Sequence, residues 1–314
     1  MLGPSNGSPL EPNSAPKRND TSGSHLQSSA APAMNQARDP TVLFVCVHYQ
    51  NASDTCTFLS AIQSQKGSAR YRCLVIDNSG DYQLPPDVSP TIAAVIRPKT
   101  NLGYFNGAQA AIKELHGTLP DWVVVSNADV TIRDTFLKQL VSARIDAKIS
   151  VLAPRITSVP DGTELNPHLV GRPSVASMHV RRLFLCNSFL RPLYFGASRV
   201  KRSLLRPLLR SVRPRTPTMR PAAIYAAHGC CLVFHRKYFE AGGTLCHPKF
   251  LFGEEILVAE GVRKLGQTIL FHPALEAQHR EHGSTGRDDS RSRIYQAESL
   301  KLIVDAFFHL GRPR

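Results

Sequence analysis

The sequence has no apolar run of the roughly 18 residues that a membrane-spanning helix requires. Its longest apolar stretch, AAIYAAHGCCLVF at residues 222–234, is shorter than that and contains a histidine. The first residues, MLGPSNGSPLEPNSAPKRND, have no apolar core flanked by basic residues, so the sequence shows no secretory signal. We therefore expect a cytoplasmic protein.

The cysteines lack the spacing of a metal site or a disulfide framework. There are seven, an odd number, and none forms a CxxC pair. Cys46, Cys73 and Cys231 lie inside apolar runs, where a thiol behaves as a small hydrophobic side chain. We expect reduced cysteines, with a redox role for the adjacent Cys230 and Cys231 as the less favoured alternative.

Acidic residues are absent from a long central segment. Between Glu164 and Glu240 there are none, whereas residues 165–239 contain 14 of the 38 lysines and arginines. This segment supplies the whole net charge of +14, because the 24 basic residues elsewhere balance the 24 acidic ones. Within residues 166–220 arginine is mixed with leucine and phenylalanine, which suits an anionic membrane surface. A solvated basic insertion is the alternative without a partner, and nucleic acid ranks lower because no binding motif is present.

Large hydrophobic residues are scarce in residues 1–39, which we predict to be disordered. From Thr41 onward, apolar strands alternate with helical patterns, which predicts a parallel α/β sheet. The predicted strands cover 41–49, 71–80, 91–98, 121–129, 148–156, 224–236 and 267–279. The predicted helices cover 52–65, 106–116, 133–145, 254–265 and 293–310.

Three predicted strands end in polar sequences, HYQN, DNSG and SNAD, and ligands of parallel sheets bind beyond such ends. Asp77 could accept hydrogen bonds from a nucleobase or ribose, or could simply open a turn. Asp129 with Asn127 suits Mg²⁺ or Mn²⁺, or caps the next helix. His279 is a candidate ligand of the same metal, although a lone histidine is more often an ordinary hydrogen-bonding group.

The stretch FLFGEEILVAEG places Glu254 and Glu255 in the first turn of a predicted helix. The helix dipole favours acidic residues there by about 0.3–1 kcal/mol, which explains them without any chemistry. The alternative is that one of them removes a proton from a substrate. A glycine-containing loop, NLGYFNG at 101–107, precedes another helix and would let backbone N–H groups approach a phosphate or a sugar.

The order of these motifs along residues 41–285 resembles the inverting family-2 glycosyltransferases, especially their bacterial rhamnosyltransferase-like branch. The motifs are VLFVCVHYQN, VIDNSG, NLGYFNGAQAAI, VVVSNADV, APRI, AAHGCCLVFHRKYFEAGG, FLFGEEILVAEGVRKLG and PALEAQHREHGST. The resemblance implies a GT-A fold, Rossmann-like, with a mostly parallel central sheet, flanking helices and a basic helical insertion at about 166–220. It assigns residues 40–285 to the glycosyltransferase domain and 286–314 to a C-terminal helix.

The resemblance also implies a role for each matching residue. Glu255 would be the catalytic base, and Asp129 and His279 would bind the divalent metal, Mg²⁺ or Mn²⁺. The residues implied in nucleotide-sugar binding are His48, Tyr49, Asn51, Asp77, Asn101, Gly103, Gly107, Asn127, Gly229 and Glu254.

The implied reaction moves a sugar from a UDP-, dTDP- or GDP-linked donor to a glycan or a lipid-linked glycan, with inversion. The sequence departs from the family at two positions in this motif: Glu255 replaces the usual aspartate, and Leu257 replaces a second acid. These departures motivate a rival hypothesis, a non-catalytic relative that binds nucleotide sugars or glycans. A further rival is a basic scaffold associated with membranes or nucleic acid.

Overall fold

A computed structural model describes residues 41–116, 118–187, 189–192, 220–281 and 290–309. These residues contain one nine-stranded sheet. Its strands are β1 (Thr41–His48), β2 (Arg70–Asp77), β3 (Ala93–Ile96), β4 (Trp122–Asn127), β5 (Val130–Ile132), β6 (Ile149–Ser158), β7 (Ala222–Ile224), β8 (Cys231–His235) and β9 (Thr268–His279). The helices are α1 (Ala52–Gln63), α2 (Tyr104–Lys113), α3 (Phe136–Val141), α4 (Val175–Cys186), α5 (Arg236–Glu240), α6 (Glu254–Lys264) and α7 (Ser290–Phe307).

The sheet is mostly parallel. Its order is β3-β2-β1-β4-β8-β6-β9-β5, and β7 also pairs with β9. Strands β1 to β4, β6 and β9 run in one direction, whereas β8 lies antiparallel between β4 and β6. Short β5 and β7 pair antiparallel with β9. The predicted α/β class with a mostly parallel sheet is confirmed.

The unbroken apolar sequence of β1 follows from its place inside the sheet. Side chains alternate between the two faces of a strand. Leu43 and Val45 therefore join a core that also contains residues of α2, α4, α6 and α7. Phe44 and Cys46 join the other core, beneath α1 and α3. Both faces are covered, so the strand carries apolar residues at every interior position.

The strand predicted over 224–236 is two strands. β7 ends at Ile224 and β8 begins at Cys231, and a turn separates them. β7 pairs with β9 whereas β8 lies between β4 and β6, so the chain changes its neighbours within a few residues. The apolar composition could not show this, because it indicates which residues are buried but not which strands they pair with.

Some predictions fall on other parts of the chain. The predicted disorder of residues 1–39, and residues 193–219 of the basic segment, lie outside the described residues. The described part of that segment contains α4 and a cis Asn166–Pro167 bond. The division of the chain into domains stays a prediction. Among the helices of the described residues, none has the length and apolar character to cross a membrane.

Candidate active site

A cleft of about 860 Å³ opens at the carboxyl ends of β1, β2 and β4. This is the edge at which parallel α/β sheets bind ligands. Most of the site residues predicted from sequence line it. They are Tyr49, Asn101, Gly103, Asn127, Asp129, Gly229, Glu254, Glu255 and His279.

Asp77 lies beneath the cleft, not on its lining. Its side chain is fully buried, and its carboxylate accepts hydrogen bonds from the backbone N–H groups of Ser79, Gly80 and Tyr82 at 2.8–3.0 Å. Arg97 Nε lies 3.4 Å from the same carboxylate. The contacts are those of an aspartate that opens a turn, and its direct contact with a base stays a prediction.

His48, Asn51 and Gly107 also lie outside the cleft lining. His48 is buried, and its Nδ1 is 2.6 Å from the Thr55 hydroxyl. Asn51 caps α1, because its Oδ1 accepts a hydrogen bond from the Asp54 backbone N–H at 3.2 Å. Gly107 allows α2 to pack closely on the sheet. These three residues shape the rim of the sheet, and their contact with a nucleotide stays a prediction.

Asp129 and His279 meet although they are far apart in the sequence. Asp129 follows β4, and His279 ends β9. Strand β5 begins directly after Asp129 and pairs antiparallel with β9, so that Val130 lies opposite His279. His279 Nε2 is 3.2 Å from Asp129 Oδ1. Both side chains are largely buried. The polar end of β4 is therefore joined to the end of β9 at the cleft wall.

This pair fits a divalent metal. A carboxylate oxygen and an imidazole nitrogen suit Mn²⁺, and the carboxylate also suits Mg²⁺. Two ligands at right angles around an ion with bonds of about 2.1 Å lie about 3 Å apart, close to the observed separation. His279 Nδ1 is buried without a hydrogen-bond partner among the described residues. If Nε2 binds the ion, the ring hydrogen lies on Nδ1, where no described residue accepts it.

A second group of possible metal ligands contains His48, Asp77 and Asp81, whose ligand atoms lie within 4.8 Å of one another. Three backbone N–H groups and Arg97 already neutralise the Asp77 carboxylate, however. A metal ion at this position would be repelled by the positive charge of the Arg97 guanidinium. The pair of Asp129 and His279 is the better metal site, because both residues line the cleft, whereas His48 and Asp77 do not.

The loop before α2 approaches the opposite wall of the cleft very closely. Gly103 has φ 75° and ψ −168°, and a Cβ there would lie 2.2 Å from the Phe250 carbonyl oxygen. Asn78 fastens the loop, since its amide donates to the Gly103 carbonyl and accepts from the Leu102 N–H, both at 3.1 Å. The sequence motif DNSG contained Asn78, but its neighbour Asp77 was the residue that the prediction selected.

The two adjacent glutamates occupy different environments at the start of α6. Glu254 is buried, and its Oε1 accepts from the Phe252 N–H at 2.9 Å. Burial and, after it, the charge of Glu255 raise the pKa of Glu254 to about 8. Glu255 is less buried, and its Oε1 accepts from the Gly229 N–H at 3.3 Å. Glu254 thus fixes the turn, whereas Glu255 offers a carboxylate to the cleft.

Several cleft residues were not predicted. His228 precedes Gly229 in the turn between β7 and β8, and its ring centroid is 5.9 Å from that of His279. Burial lowers the pKa of His228 to about 4. Its position beside Gly229 in the motif HGCC was the signal that could have found it. Arg291 and Tyr295 reach the cleft from α7, for which the sequence predicted only a helix with an apolar face.

No protein-family model matches the sequence, and no curated protein matches it either. Solved structures do share its fold. The structure of GalNAc-T7 with UDP, GalNAc and Mn²⁺ has a TM-score of 0.53 and 14% identity, and the match covers 86% of this chain and 48% of that one. S. aureus TarS has a TM-score of 0.51 and 11% identity, with 87% of this chain and 40% of that chain covered. For TarS residues 1–349 the TM-score is 0.50, the identity is 11%, and the shares are 87% and 67%.

The chain has the GT-A glycosyltransferase fold. The match spans about half the length, or less, of GalNAc-T7 and of the longer TarS chain. The predicted GT-A fold is confirmed. At these identities the likeness concerns the fold alone, so the rhamnosyltransferase-like branch stays a prediction.

Proposed function

We propose that the protein transfers a sugar from a nucleoside-diphosphate sugar to an acceptor hydroxyl with inversion. One observation carries this proposal: the pair of Asp129 and His279 and the carboxylate of Glu255 line the same cleft, at the carboxyl ends of the sheet. A metal-ligand pair and a separate carboxylate are what a displacement at the anomeric carbon requires. The fold supports the same reaction class.

The diphosphate would bind on the side of Asp129 and His279. A divalent ion held there by these two side chains, next to Asn127, supplies positive charge against the departing diphosphate. The GalNAc-T7 structure with the similar fold contains UDP and Mn²⁺, which supports this choice of ligands. The nucleoside would lie along Tyr49, Asn78 and the loop at Asn101, at the ends of β1 and β2. The nucleoside of the donor would be uridine, thymidine or guanosine.

Glu255 would act as the general base. Its carboxylate takes the proton of the acceptor hydroxyl while that oxygen forms a bond to the anomeric carbon. The bond between the anomeric carbon and the diphosphate oxygen breaks in the same step, and its electron pair leaves with the nucleoside diphosphate. A single displacement from the opposite side inverts the anomeric centre. The Gly229 N–H holds one oxygen of Glu255, which keeps the carboxylate in place for this transfer.

The acceptor would be a glycan or a lipid-linked glycan, reached at the cytoplasmic surface of a membrane. On the outer face of α4, Val180 and Leu183 are 54% and 57% exposed, and Phe189 beyond it is 88% exposed. Ile294 at the start of α7 is 51% exposed. We call these four residues the apolar patch. Arg181, next to Val180 in the chain, and Arg293, next to Ile294, are also exposed, which suits anionic headgroups.

The experiment that tests the proposal separates donor binding from transfer. Calorimetry with UDP, dTDP and GDP and their sugars, with and without Mn²⁺, identifies the donor of the wild type. Asp129→Ala is expected to lose the Mn²⁺-dependent part of that affinity. Glu255→Gln is expected to keep donor affinity within about twofold and to lower transfer by about 10²-fold or more.

Matched controls lie on the surface, where Asp87→Ala and Glu114→Gln change exposed side chains of the same types. Wild-type donor affinity in Asp129→Ala would contradict the metal site. Unchanged turnover in Glu255→Gln would remove this residue from the mechanism. Donor binding by the wild type without any turnover would instead favour the non-catalytic relative.

A further inference from the structure

The turn between β7 and β8 is rigidly attached on both sides of the cleft. The Gly229 N–H donates to Glu255 Oε1 at 3.3 Å, and the Cys230 carbonyl accepts from the Asn127 N–H at 2.9 Å. The first contact reaches the proposed base, and the second reaches the strand end that precedes Asp129. The turn therefore connects the acceptor side of the proposed site to the diphosphate side.

His228 opens this turn, and its backbone is anchored below the cleft. Its N–H donates to Asn166 Oδ1 at 2.7 Å. Asn166 is almost fully buried, and its own amide nitrogen donates to the Pro154 carbonyl at 2.8 Å. These bonds tie the turn to β6, so the His228 ring is carried by a fixed backbone.

The hydrogen bonds of His228 fix the tautomer of its ring. The Cys230 backbone N–H donates to His228 Nδ1 at 3.3 Å. A nitrogen that accepts a hydrogen bond carries no hydrogen, so in this arrangement the ring hydrogen lies on Nε2. Because His228 lines the cleft, Nε2–H is the group that it offers to a ligand.

The position of His228 decides which part of a donor it would contact. Its ring packs against His279, whose Nε2 contacts Asp129, and the next residue in the chain holds Glu255. In the proposed reaction the diphosphate leaves from one side of the anomeric carbon and the acceptor oxygen attacks from the other. The transferred sugar lies between the two sides, next to His228.

We propose that His228 is a specificity-determining residue whose Nε2–H donates a hydrogen bond to a hydroxyl oxygen of the transferred sugar. This proposal rests on the proposed function. It adds that His228 recognises the sugar of the donor and not the nucleotide. His228 transfers no proton in this role, and Glu255 remains the base of the glycosyl transfer.

The test uses two substitutions in the full chain, each of which keeps one of the two hydrogen-bonding groups of the imidazole. His228→Asn places a side-chain oxygen near the position of Nδ1, which preserves the contact with Cys230 but removes the distant donor. His228→Gln places an amide N–H near the position of Nε2. The probes are the nucleoside diphosphate and the nucleotide sugar that the wild type binds with Mn²⁺, titrated by calorimetry. His116→Asn is the control, because His116 is exposed and its φ of 47° is one that asparagine tolerates.

In His228→Asn the affinity for the nucleotide sugar is expected to fall roughly tenfold, while that for the nucleoside diphosphate changes less than about twofold. His228→Gln should recover most of the loss, and both variants should melt near the wild-type temperature. The proposal is overturned if the nucleoside diphosphate loses as much affinity as the sugar conjugate, or if the sugar conjugate binds His228→Asn normally. A wild type that binds donor and transfers sugar upholds the proposed function in either case; a wild type that binds no donor overturns both.

Discussion

At the scale of single residues, Glu254 and Glu255 show how the surroundings of a carboxyl group determine its chemistry. The two are adjacent in the sequence and chemically identical. One is buried against the Phe252 N–H, and the other lies in the cleft against the Gly229 N–H. Burial favours the neutral form of Glu254, which makes it a poor partner for a cation. The cleft carboxylate is the one that can collect a proton from a bound hydroxyl.

The raised pKa of Glu254 predicts a pH-dependent stability. A carboxyl group whose pKa is higher in the folded state stabilises the fold fully below its unfolded pKa, near 4.5, and loses this effect as the pH rises through about 8. Within that window, each rise of one pH unit lowers the free energy of unfolding by at most about 1.4 kcal/mol for one proton. Glu254→Gln removes this cost and can still accept the Phe252 hydrogen bond. We expect its melting temperature to exceed that of the wild type increasingly between pH 5 and 8.

Differential scanning fluorimetry across this range measures the effect. Glu298→Gln on the exposed side of α7 is the control, because it removes a glutamate that solvent reaches. A melting-temperature difference that is constant with pH would show that Glu254 is ionised in the fold throughout the range.

At the scale of elements, the loop that enters α2 depends on one glycine. Gly103 combines a positive φ with a carbonyl oxygen where its Cβ would lie. Any side chain must therefore displace the Phe250 segment, which forms the facing wall of the cleft. The loop thus couples two walls that are remote in the sequence.

Gly103→Ala is expected to lower the free energy of unfolding by about 3 kcal/mol or more, because backbone strain of about 1–3 kcal/mol adds to the clash. Gly266→Ala is the matched control, since Gly266 has φ 66° but no neighbouring atom within 4 Å of its Cβ position. The free energy of unfolding of Gly266→Ala should fall only by the contribution of backbone strain. Urea denaturation of both variants measures the difference, and equal losses would mean that the Phe250 contact costs nothing to displace.

Element types were predictable and their partners were not. The apolar runs of β1 and β4 identified buried strands because both faces of those strands are covered. The run at 224–236 gave one strand instead of two, since composition does not reveal that β7 and β8 join different neighbours. For the site, the motif residues at strand ends were found, whereas His228 and Arg291 arrive from a turn and a distant helix.

At the scale of the whole molecule, the Ile294 end of the apolar patch lies near the cleft. α4 and α7 are antiparallel, since His179 Nε2 contacts the Phe308 carbonyl at 2.8 Å and Cys186 Sγ contacts the Ala297 carbonyl at 3.4 Å. The end of α7 that carries Ile294 is also the end from which Tyr295 reaches the cleft. A membrane against the patch would bring a lipid-linked acceptor close to the site.

This arrangement predicts binding to anionic vesicles. Phosphatidylglycerol-containing vesicles should sediment with the full chain, and high salt should weaken the binding because the charge contribution is screened. Leu183→Ser with Phe189→Ser is expected to reduce binding by about tenfold or more, given about 1.5–3 kcal/mol for each large apolar side chain that is fully buried. Val159→Ser is the control, because Val159 is also 54% exposed but lies outside residues 166–220 and outside α4 and α7.

A comparable loss in Val159→Ser would contradict a specific membrane contact. If the protein bound phosphatidylcholine vesicles just as strongly, the basic residues would have no role in the binding. Self-association of the wild type that Leu183→Ser abolishes would instead identify the patch as an interface between two copies of the chain.

The sequence alone determined the alternation of strands and helices and the polar residues at the strand ends, because the periodicity of a segment depends only on its own side chains. Tertiary structure decided which of those polar residues face a ligand. Asp77 lies beneath the cleft because neighbouring backbone N–H groups use its carboxylate, and Asp129 faces the cleft because β9 returns His279 to its side. Burial and long-range strand pairing determine where these two aspartates lie, and local sequence does not specify either of them.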